Sequence, residues 1–236
     1  MPRPAVLLIH GFTSHRSSLE AVIPGLDARG IEWHYPILAG HGTSPADLAH
    51  ARWEDWQYDV EQGLKYLQPE TRPVVIIALS MGSLLGLELA AKYPQQISGV
   101  VLLSPCLHFY SRLARYTRVV SRVIPRVPNP SVAKFSSPTY AQNDQGYSWF
   151  PTVAFRRFWI RTLHFDSVLE KVTQPVRIIH SHNDKVAAPS GAQHIYDTIP
   201  STAKELVWLE HSGHEILLDC ETDQVLEEIF KFPLLN

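Results

Sequence analysis

Residues 72–93, RPVVIIALSMGSLLGLELAAKY, constrain the fold of this chain more than any other stretch. Their first part, 73–78, is an unbroken apolar run, which is typical of a strand buried on both faces. Over 84–91 the apolar residues recur at the spacing of a helix. A chain that leaves a buried strand and enters a helix with so short a loop must turn sharply, and the turn falls at Ser80.

The turn at Ser80 carries a known motif. Ala78 and Gly82 flank Ser80 two positions away on either side, which is the G-x-S-x-G elbow with alanine in place of the first glycine. Such a turn strains the serine and exposes its oxygen at the carboxyl edge of a sheet. The Met81 amide, at the amino end of the helix, is placed to favour an oxyanion. Ser80 is therefore a candidate nucleophile, and an ordinary buried serine is the alternative.

Strands and helices alternate along most of the chain. Apolar runs predict strands at 5–9, 32–36, 73–78, 98–103, 176–181 and 204–209. Helical periodicity predicts helices at 17–29, 52–67, 84–91, 190–198 and 222–231, and 40–45 is predicted to be a turn-rich loop. Repeated strand and helix units imply a parallel sheet with helices on both faces.

The composition fits one globular α/β domain over residues 1–236. The chain is 45% hydrophobic and 19% charged, which allows a substantial core. A net charge of -2 argues against nucleic acid as a partner. Cys106 and Cys220 belong to no C-x-x-C pair and cannot form a disulfide framework. The apolar run 5–9 is too short for a signal peptide and no run is long enough to span a membrane, so we expect a cytoplasmic protein.

A serine hydroxyl needs a base to remove its proton, and the base needs a third group to orient it. With this elbow, the order along the chain is serine, acid, histidine. Asp184 follows the predicted strand 176–181 and His214 follows 204–209, so both lie on loops at the sheet edge that carries Ser80. We predict that they complete the site. The alternatives are a solvated turn aspartate and a hydrogen-bonded loop histidine.

Three other residues compete for these two roles. Asp197 and Asp219 are acids, but they fall inside or beside predicted helices rather than at the end of a strand. His211 lies in the same loop as His214. We prefer His214 because Gly213 before it allows a tight turn that carries the ring into the site.

These motifs together resemble the α/β-hydrolase superfamily, in particular the compact bacterial carboxylesterases and monoacylglycerol lipases. The resemblance extends from His10 to the final helix and rests on His10-Gly11-Phe12, Gly40-His41-Gly42, Ala78-Leu79-Ser80-Met81-Gly82, Asp184 and Ser212-Gly213-His214. It implies that Ser80 is the nucleophile, His214 the base and Asp184 its partner. It also implies that the amides of Phe12 and Met81 form the oxyanion hole, and that no cofactor is needed.

Two departures from the superfamily affect the expected fold. Ala78 replaces a common glycine, and we expect the turn to survive because alanine is small. Members of the superfamily usually have an antiparallel hairpin ahead of the strand that corresponds to 5–9 in this chain. The residues before 5–9 are too few to form such a hairpin. We therefore expect an α/β-hydrolase fold with about six strands, all parallel.

Four more histidines, His10, His41, His180 and His182, are predicted near the same sheet edge. Their spacing matches no common metal-ligand pattern, and a serine triad needs no metal, so we predict no metal site. For His10 and His41 we favour structural hydrogen bonds that hold the oxyanion loop.

Residues 107–165 interrupt the alternation and form a predicted helical cap. This segment has nine basic residues and one acid, Asp144, so its charge is +8 against -10 for the rest of the chain. If 112–126 is a helix, its arginines lie on one face and its apolar residues on the other. The apolar face is predicted either to cover an acyl chain or to pack on the sheet. The basic face either attracts anionic interfaces or is simply solvated.

The function expected from these residues is hydrolysis of carboxylic esters with short to medium acyl chains, or of monoacylglycerol-like lipids, through an acyl-enzyme on Ser80. The pocket is expected to be lined by Phe109, Tyr110, Val123, Phe155, Trp159 and Val186. A thioesterase or a carbon–carbon bond hydrolase could use the same three residues. A non-catalytic ligand-binding protein on the same scaffold is the alternative of a different class.

Overall fold

The computed structural model describes residues 3–236, and a parallel sheet forms its centre. Its strands are β1 (Ala5–Ile9), β2 (Glu32–His34), β3 (Val74–Leu79), β4 (Ile97–Leu103), β5 (Arg126–Pro128), β6 (Trp149–Pro151), β7 (Val176–Ser181) and β8 (Lys204–Leu209). All except β5 and β6 form one sheet in the order β2-β1-β3-β4-β7-β8. Every pairing in this sheet is parallel, which confirms the predicted α/β architecture.

The helices surround this sheet. They are α1 (Ser17–Glu20), α2 (Ile23–Ala28), α3 (Pro45–His50), α4 (Trp53–Tyr66), α5 (Met81–Lys92), α6 (Thr117–Val120), α7 (Pro138–Ala141), α8 (Thr152–Thr162), α9 (Asp166–Leu169), α10 (Pro189–Thr198) and α11 (Thr222–Phe230). Within residues 3–236, no helix combines the length and the apolar character that crossing a membrane would require.

The central strands are buried on both faces because alternate side chains enter two different cores. Leu7 of β1 and Ile76 of β3 pack in one core, which also contains the apolar residues of α4 and α5. Leu8 and Ile77, one residue further along the same strands, pack in the second core, which contains residues of α2 and α11. The continuous apolar runs of the sequence therefore have a direct cause, since both faces of each strand are covered.

One predicted helix is divided in the structure, and one observed helix was not predicted. The helix predicted at 17–29 is divided into α1 and α2, because Pro24 cannot donate a hydrogen bond to the carbonyl of Glu20 and its ring crowds that position. The loop predicted at 40–45 leads into the short helix α3, which the prediction missed. Ser44 caps α3 by accepting a hydrogen bond from the amide of Asp47 at 3.2 Å.

The long helix predicted at 112–126 is wrong. The chain forms a 3-10 helix at Arg112–Tyr116 and the single turn α6, and it then leaves the helix before β5. Pro125 explains the break, because it has no amide hydrogen and disfavours helical geometry at Ile124. Residues 126–128 instead pair with β6 in an antiparallel ribbon. The insertion 107–165 is therefore a mixed cap of short helices and one ribbon.

Polar contacts of α8 attach the cap to the helices below it. Arg161 forms an ion pair with Glu88 of α5, and Trp53 of α4 donates a hydrogen bond to the same carboxylate at 2.9 Å. Arg157 donates to the carbonyl of Ala49 at 2.8 Å. Two of the nine basic cap residues are thus used to hold the cap in place.

The start of α5 rests directly on the end of β1. A Cβ atom at Gly82 would lie 2.5 Å from the carbonyl oxygens of both Ile9 and His10, so no side chain fits at this position. These oxygens belong to the buried backbone of the last residue of β1 and of the residue after it, and they cannot move aside. The glycine of the Ser80 motif is therefore required by the crossing of α5 over β1.

We predict that Gly82→Ala lowers the free energy of unfolding by at least about 3 kcal/mol, because the added methyl group overlaps the backbone of β1. Gly86→Ala on the same helix is the matched control. Its Cβ would lie 3.0 Å from Cγ2 of Ile76, 0.5 Å further than the closest contact at Gly82 and with a side chain rather than with backbone, and alanine favours the helix by about 1 kcal/mol. Urea unfolding of both variants measures the difference, and equal losses would contradict the packing argument.

Candidate active site

Ser80 sits in a backbone conformation that few residues with a side chain adopt. Its φ is 56° and its ψ is -119°, at the junction of β3 and α5. The amide of Ser80 donates to the carbonyl of Leu103 at 2.9 Å, and its carbonyl accepts a hydrogen bond from Cys106 at 3.3 Å. The end of β4 therefore holds the strained turn and keeps the serine above the edge of the sheet.

A chain of hydrogen bonds connects Ser80 to His214 and Asp184. The Oγ of Ser80 lies 2.8 Å from Nε2 of His214, and Nδ1 of His214 lies 2.7 Å from Oδ2 of Asp184. The other oxygen of Asp184 accepts the amides of Val186 and Ala187 at 2.7 and 2.9 Å. Asp184 thus holds the proton of His214 on Nδ1 and leaves Nε2 to accept the serine proton. The fold brings the three predicted residues into contact.

The charge of Asp184 controls the ionisation of His214. Burial alone would lower the pKa of His214, but the charge of Asp184 and its hydrogen bond outweigh burial and raise that pKa above the ordinary value. Burial likewise opposes the ionisation of Asp184, yet the interactions with His214 hold the pKa of Asp184 below its usual range. His180 also lies near Asp184, but burial lowers its pKa to about 4, so it is neutral at pH 7.

The residues that compete with Asp184 and His214 lie elsewhere. Asp219 is buried, but its carboxylate accepts the backbone amides of Gly213 and Ser136, both at 2.7 Å. Asp197 and His211 are exposed at the surface. Asp219 therefore shapes the loop that carries the histidine rather than contacting the imidazole.

A segment of the cap, residues 129–137, which we call the strap, is hydrogen-bonded to the loop that carries His214. The carbonyl oxygen of Lys134 accepts the amide of His214 at 2.6 Å and the amide of Glu215 at 3.1 Å. A Cβ atom at Gly213 would overlap the same carbonyl, so the close approach of the two chains requires glycine. The position of His214 thus depends on the cap as well as on the sheet.

Two backbone amides beside Ser80 have no acceptor in the part of the chain that the structure describes. They are those of Phe12 and Met81. Met81 begins α5, so its amide has no partner inside the helix. The loop that carries Phe12 runs against the serine, because a Cβ at Gly11 would lie only 3.5 Å from the Oγ of Ser80. Both amides are therefore available to an oxygen that becomes negative next to Ser80.

His10 and His41 hold the loop that carries Phe12. Nε2 of His10 accepts the amide of Leu38, and Nε2 of His41 accepts the amide of Thr13, both at 3.1 Å. Burial lowers the pKa of His10 to about 4 and that of His41 to about 3, so both rings are neutral acceptors. These are the structural hydrogen bonds expected from the sequence. Within residues 3–236, no group of three or more histidine, cysteine or acidic side chains is arranged to hold a metal ion.

A cavity lined by Ser80 and by residues of the cap contains two chemically different sets of side chains. We call the first set the aromatic wall, which consists of Phe12, Phe109, Phe150, Phe155 and Phe158. We call the second set the polar wall, which consists of Thr13, Asn129, Lys134 and Glu215. Gly11, Ser80, Cys106, Val186 and His214 complete the lining. The nucleophile candidate therefore shares its cavity with five aromatic rings and four hydrogen-bonding side chains.

Three of the six predicted pocket residues, Phe109, Phe155 and Val186, line this cavity. The other three do not. Tyr110 and Val123 are 51% and 75% exposed. Trp159 lines a separate surface groove on the outer side of α8, because Phe155 and Phe158 occupy the face that turns towards Ser80.

The sequence prediction also missed lining residues. Phe158 could have been found from its helical spacing to Phe155, and Glu215 from its position next to His214. Asn129, Lys134 and Phe150 carry no such signal, because only the folded cap places them over Ser80.

A parallel sheet with a strained serine, a histidine and an aspartate at its carboxyl edge defines an α/β-hydrolase fold and site. A family model described as serine aminopeptidase, S33 (Hydrolase_4) matches residues 1–221. The chain belongs to this family.

Curated relatives and a solved structure agree with this membership and confirm the resemblance inferred from the sequence. The chain is 28% identical to a carboxylesterase of Bacillus subtilis (strain 168), over 97% of this chain and 91% of that protein. It is also 28% identical to a thermostable monoacylglycerol lipase of Bacillus sp. (strain H-257), over 96% and 89%. A solved structure from the work on LipS and LipT, two metagenome-derived lipolytic enzymes, superposes with a TM-score of 0.90 at 28% identity, covering 98% and 93% of the two chains.

The raised pKa of His214 leads to a prediction that does not depend on activity. Asp184→Asn removes the negative charge that opposes burial, so the pKa of His214 should fall. An NMR titration of the His214 ring measures this change. Asp197→Asn, which alters an exposed aspartate, is the control and should leave the titration of His214 unchanged. An unshifted His214 in Asp184→Asn would mean that the aspartate does not govern its ionisation.

Proposed function

We propose that the protein hydrolyses carboxylic esters through an acyl-enzyme on Ser80. The observation that carries this proposal is the continuous chain from Ser80 through His214 to Asp184, at 2.8 and 2.7 Å, next to two backbone amides without an acceptor. A nucleophile, an oriented base and oxyanion donors at one point are what acyl transfer requires.

In the first half of the reaction, Ser80 forms a bond to the ester carbonyl carbon while its proton passes to Nε2 of His214. The carbonyl oxygen becomes negative and is stabilised by the amides of Phe12 and Met81. The bond to the alcohol then breaks, and His214 returns the proton to the departing alkoxide. Asp184 remains ionised and stabilises the imidazolium during these steps.

In the second half, water attacks the acyl-enzyme. His214 takes a proton from the water, and the same two amides again stabilise the negative oxygen. The bond between the acyl carbon and Ser80 breaks, and the serine oxygen recovers its proton from His214. The carboxylic acid leaves, and the site returns to its starting state.

The aromatic wall supports an apolar acyl group, because five phenylalanine rings line the cavity that contains Ser80. The relatives named carboxylesterase and monoacylglycerol lipase support an oxygen ester over a thioester or a carbon–carbon bond. The presence of all three candidate catalytic residues in hydrogen-bonding geometry weighs against a protein that only binds a ligand.

We expect a fluorophosphonate probe to label Ser80 in the native protein, because the probe reacts with an activated serine and mimics the tetrahedral intermediate. Intact mass and peptide mapping locate the label. Ser80→Ala should lose both the label and the hydrolysis of p-nitrophenyl octanoate. Ser83→Ala, which alters a buried serine bonded to the carbonyl of Ala78, is the control and should keep both. A folded native protein that neither labels nor hydrolyses the ester would refute the proposal.

We further propose that one surface of the cap binds anionic lipid interfaces. We call it the basic cap surface and define it as residues 112–124. Its apolar residues are unusually exposed, with Leu113 at 73%, Val119 at 63% and Val123 at 75%. Exposed arginines lie between them, at 112, 115, 118 and 122. The cap's one acid, Asp144, is buried against Lys134, so nothing acidic within residues 107–165 opposes this charge at the surface.

An anionic bilayer matches this surface better than water or a neutral bilayer does. Apolar side chains can enter the interface while arginines contact lipid phosphates, and each such charge contributes about 1 kcal/mol near an anionic surface. Neither of the two roles expected for this face, covering the acyl chain or packing on the sheet, is seen. The apolar side chains of the basic cap surface are instead exposed, and they are available to enter an anionic lipid bilayer.

We expect the protein to co-sediment with vesicles that contain phosphatidylglycerol, less with purely zwitterionic vesicles, and less as salt is added. Arg118→Gln with Arg122→Gln should weaken this binding about tenfold or more. The control pair, Lys65→Gln with Lys171→Gln, removes the same charge from exposed positions outside the cap. Salt-independent sedimentation, or an equal loss in both pairs, would exclude this role of the cap.

A further inference from the structure

Lys134 of the polar wall has two connections within the protein, and neither takes part in the reaction described above. Its backbone carbonyl accepts the amide of His214 at 2.6 Å, from the loop that carries the candidate base. Its ammonium group forms an ion pair with Asp144 at 2.7 Å, and both side chains are less than a tenth exposed. Asp144 does not line the cavity, so it has no contact with a substrate bound there. The ion pair therefore needs an explanation within the cap.

Both members of this pair keep their charges although they are buried. Burial opposes the ionisation of Asp144, yet the charge of Lys134 and its hydrogen bond hold the pKa of Asp144 below its usual range. A buried ion pair often stabilises a protein no more than an apolar pair of similar volume does. Stability alone therefore gives no reason for the pair. A charged hydrogen bond does add a fixed distance and direction.

Segment 144–147 of the cap is held closely around Asp144. One oxygen of this carboxylate accepts a hydrogen from Lys134, and the other accepts the amide of Gly146 at 2.8 Å. A Cβ atom at Gly146 would lie 3.1 Å from the Nζ of Lys134 and 2.9 Å from the carbonyl oxygen of Thr13. Gly146 therefore lies against both the lysine and the loop that follows β1, where a side chain would crowd them.

The same segment is hydrogen-bonded to the loop that supplies Phe12, a candidate oxyanion donor. Tyr147 donates its amide to the carbonyl of Thr13, the residue after Phe12, at 2.9 Å. Asn129, at the start of the strap, donates to the Oγ1 of Thr13 at 3.0 Å and to the carbonyl of Tyr147 at 2.8 Å. The cap therefore holds the loop of Phe12 as well as the loop of His214.

The ion pair joins these two sets of contacts. On one side, the carbonyl of Lys134 holds the loop of His214, and on the other, the segment of Asp144 holds the loop of Phe12. These loops follow β8 and β1, which β3, β4 and β7 separate in the sheet. The sheet alone therefore connects them only through three intervening strands. The ion pair gives them a direct connection through the cap.

Building on the proposed ester hydrolysis, we propose that Lys134 and Asp144 are positioning residues for acyl transfer. Their ion pair sets the distance between the loop of His214 and the loop of Phe12, so that the base and the oxyanion donor reach the same carbonyl group. Neither side chain takes part in bond cleavage. A displacement of about 1 Å in such a site can cost about a hundredfold in rate, so a fixed separation of the two loops has a direct effect on turnover.

The experiment removes the pair as a unit in Lys134→Met with Asp144→Asn. This variant leaves no unpaired charge in the interior and keeps an acceptor for the amide of Gly146. With p-nitrophenyl octanoate, kcat should fall about tenfold or more, because the two loops lose their fixed separation. KM should change less than about threefold, because the aromatic wall is unchanged.

A second ion pair of the cap provides the matched control. Arg161→Met with Glu88→Gln removes the pair that joins α8 to α5 away from Ser80, and it keeps an acceptor for Trp53. This variant should lower the midpoint of urea unfolding but change kcat less than about twofold. The comparison separates the positioning of the two loops from the general attachment of the cap.

Two measurements report on the connection without catalysis. The proton that Asp184 holds on Nδ1 of His214 gives a downfield NMR signal, which should shift or broaden in the Lys134→Met, Asp144→Asn variant and stay unchanged in the control. In the native protein, the amides of His214 and Tyr147 should exchange with solvent with equal opening free energies, because the ion pair connects the segments that hold them.

Two outcomes would overturn the inference. One is a native kcat in the variant that lacks the Lys134 and Asp144 pair, and the other is an equal loss of kcat in that variant and in the control. If the variant does not fold, unequal opening free energies at His214 and Tyr147 in the native protein would overturn it.

A failure of the proposed function would give a different result. The native protein would then neither cleave the ester nor react with the fluorophosphonate at Ser80. The Nδ1 signal of His214 and the amide exchange would still test the connection through the ion pair, because neither measurement depends on turnover.

Discussion

The strained turn at Ser80 is the constraint on which the rest of the structure depends. A serine at φ 56° is unfavourable in isolation, and it persists because its backbone is bonded on both sides to the end of β4 and the loop that follows. The helix after it can start only because Gly82 lets α5 rest on the carbonyls of β1. The order of strands places β3 between β1 and β4, so both supports come from its immediate neighbours.

The cap is part of the site rather than a cover laid over it. The carbonyl of Lys134 binds the amides of His214 and Glu215, and Asp219 joins the same loop to Ser136 of the strap. Movement of the strap would therefore disturb the histidine. The contacts of Arg161 and Arg157 of α8 with the helices beneath give the cap a second attachment away from Ser80.

The buried histidines around Ser80 differ in the direction of their pKa shifts, and the neighbours of each ring explain the difference. His10 and His41 are buried with no carboxylate among the causes of their pKa shifts, and burial lowers the pKa of each. His180 lies 3.5 Å from Asp184, but burial outweighs that charge and lowers its pKa as well. His214 is as buried as they are, but Asp184 reverses the direction of its shift. The same residue type thus serves as scaffold or as candidate base according to whether it forms a direct hydrogen bond with a carboxylate, as His214 does with Asp184 at 2.7 Å.

The sequence by itself determined the sheet, the turn at Ser80 and the loops that carry Asp184 and His214, because strand ends and a compressed turn are local patterns. It did not determine the cap. The helix expected at 112–126 ends early because Pro125 breaks it and β6 offers 126–128 a strand partner distant in the chain. The sequence also could not show that the carbonyl of Lys134 binds the amide of Glu215. It could not show that Val123 is exposed to solvent while Phe158 lines the cavity at Ser80. Those placements depend on contacts between residues far apart in sequence, which only the tertiary structure decides.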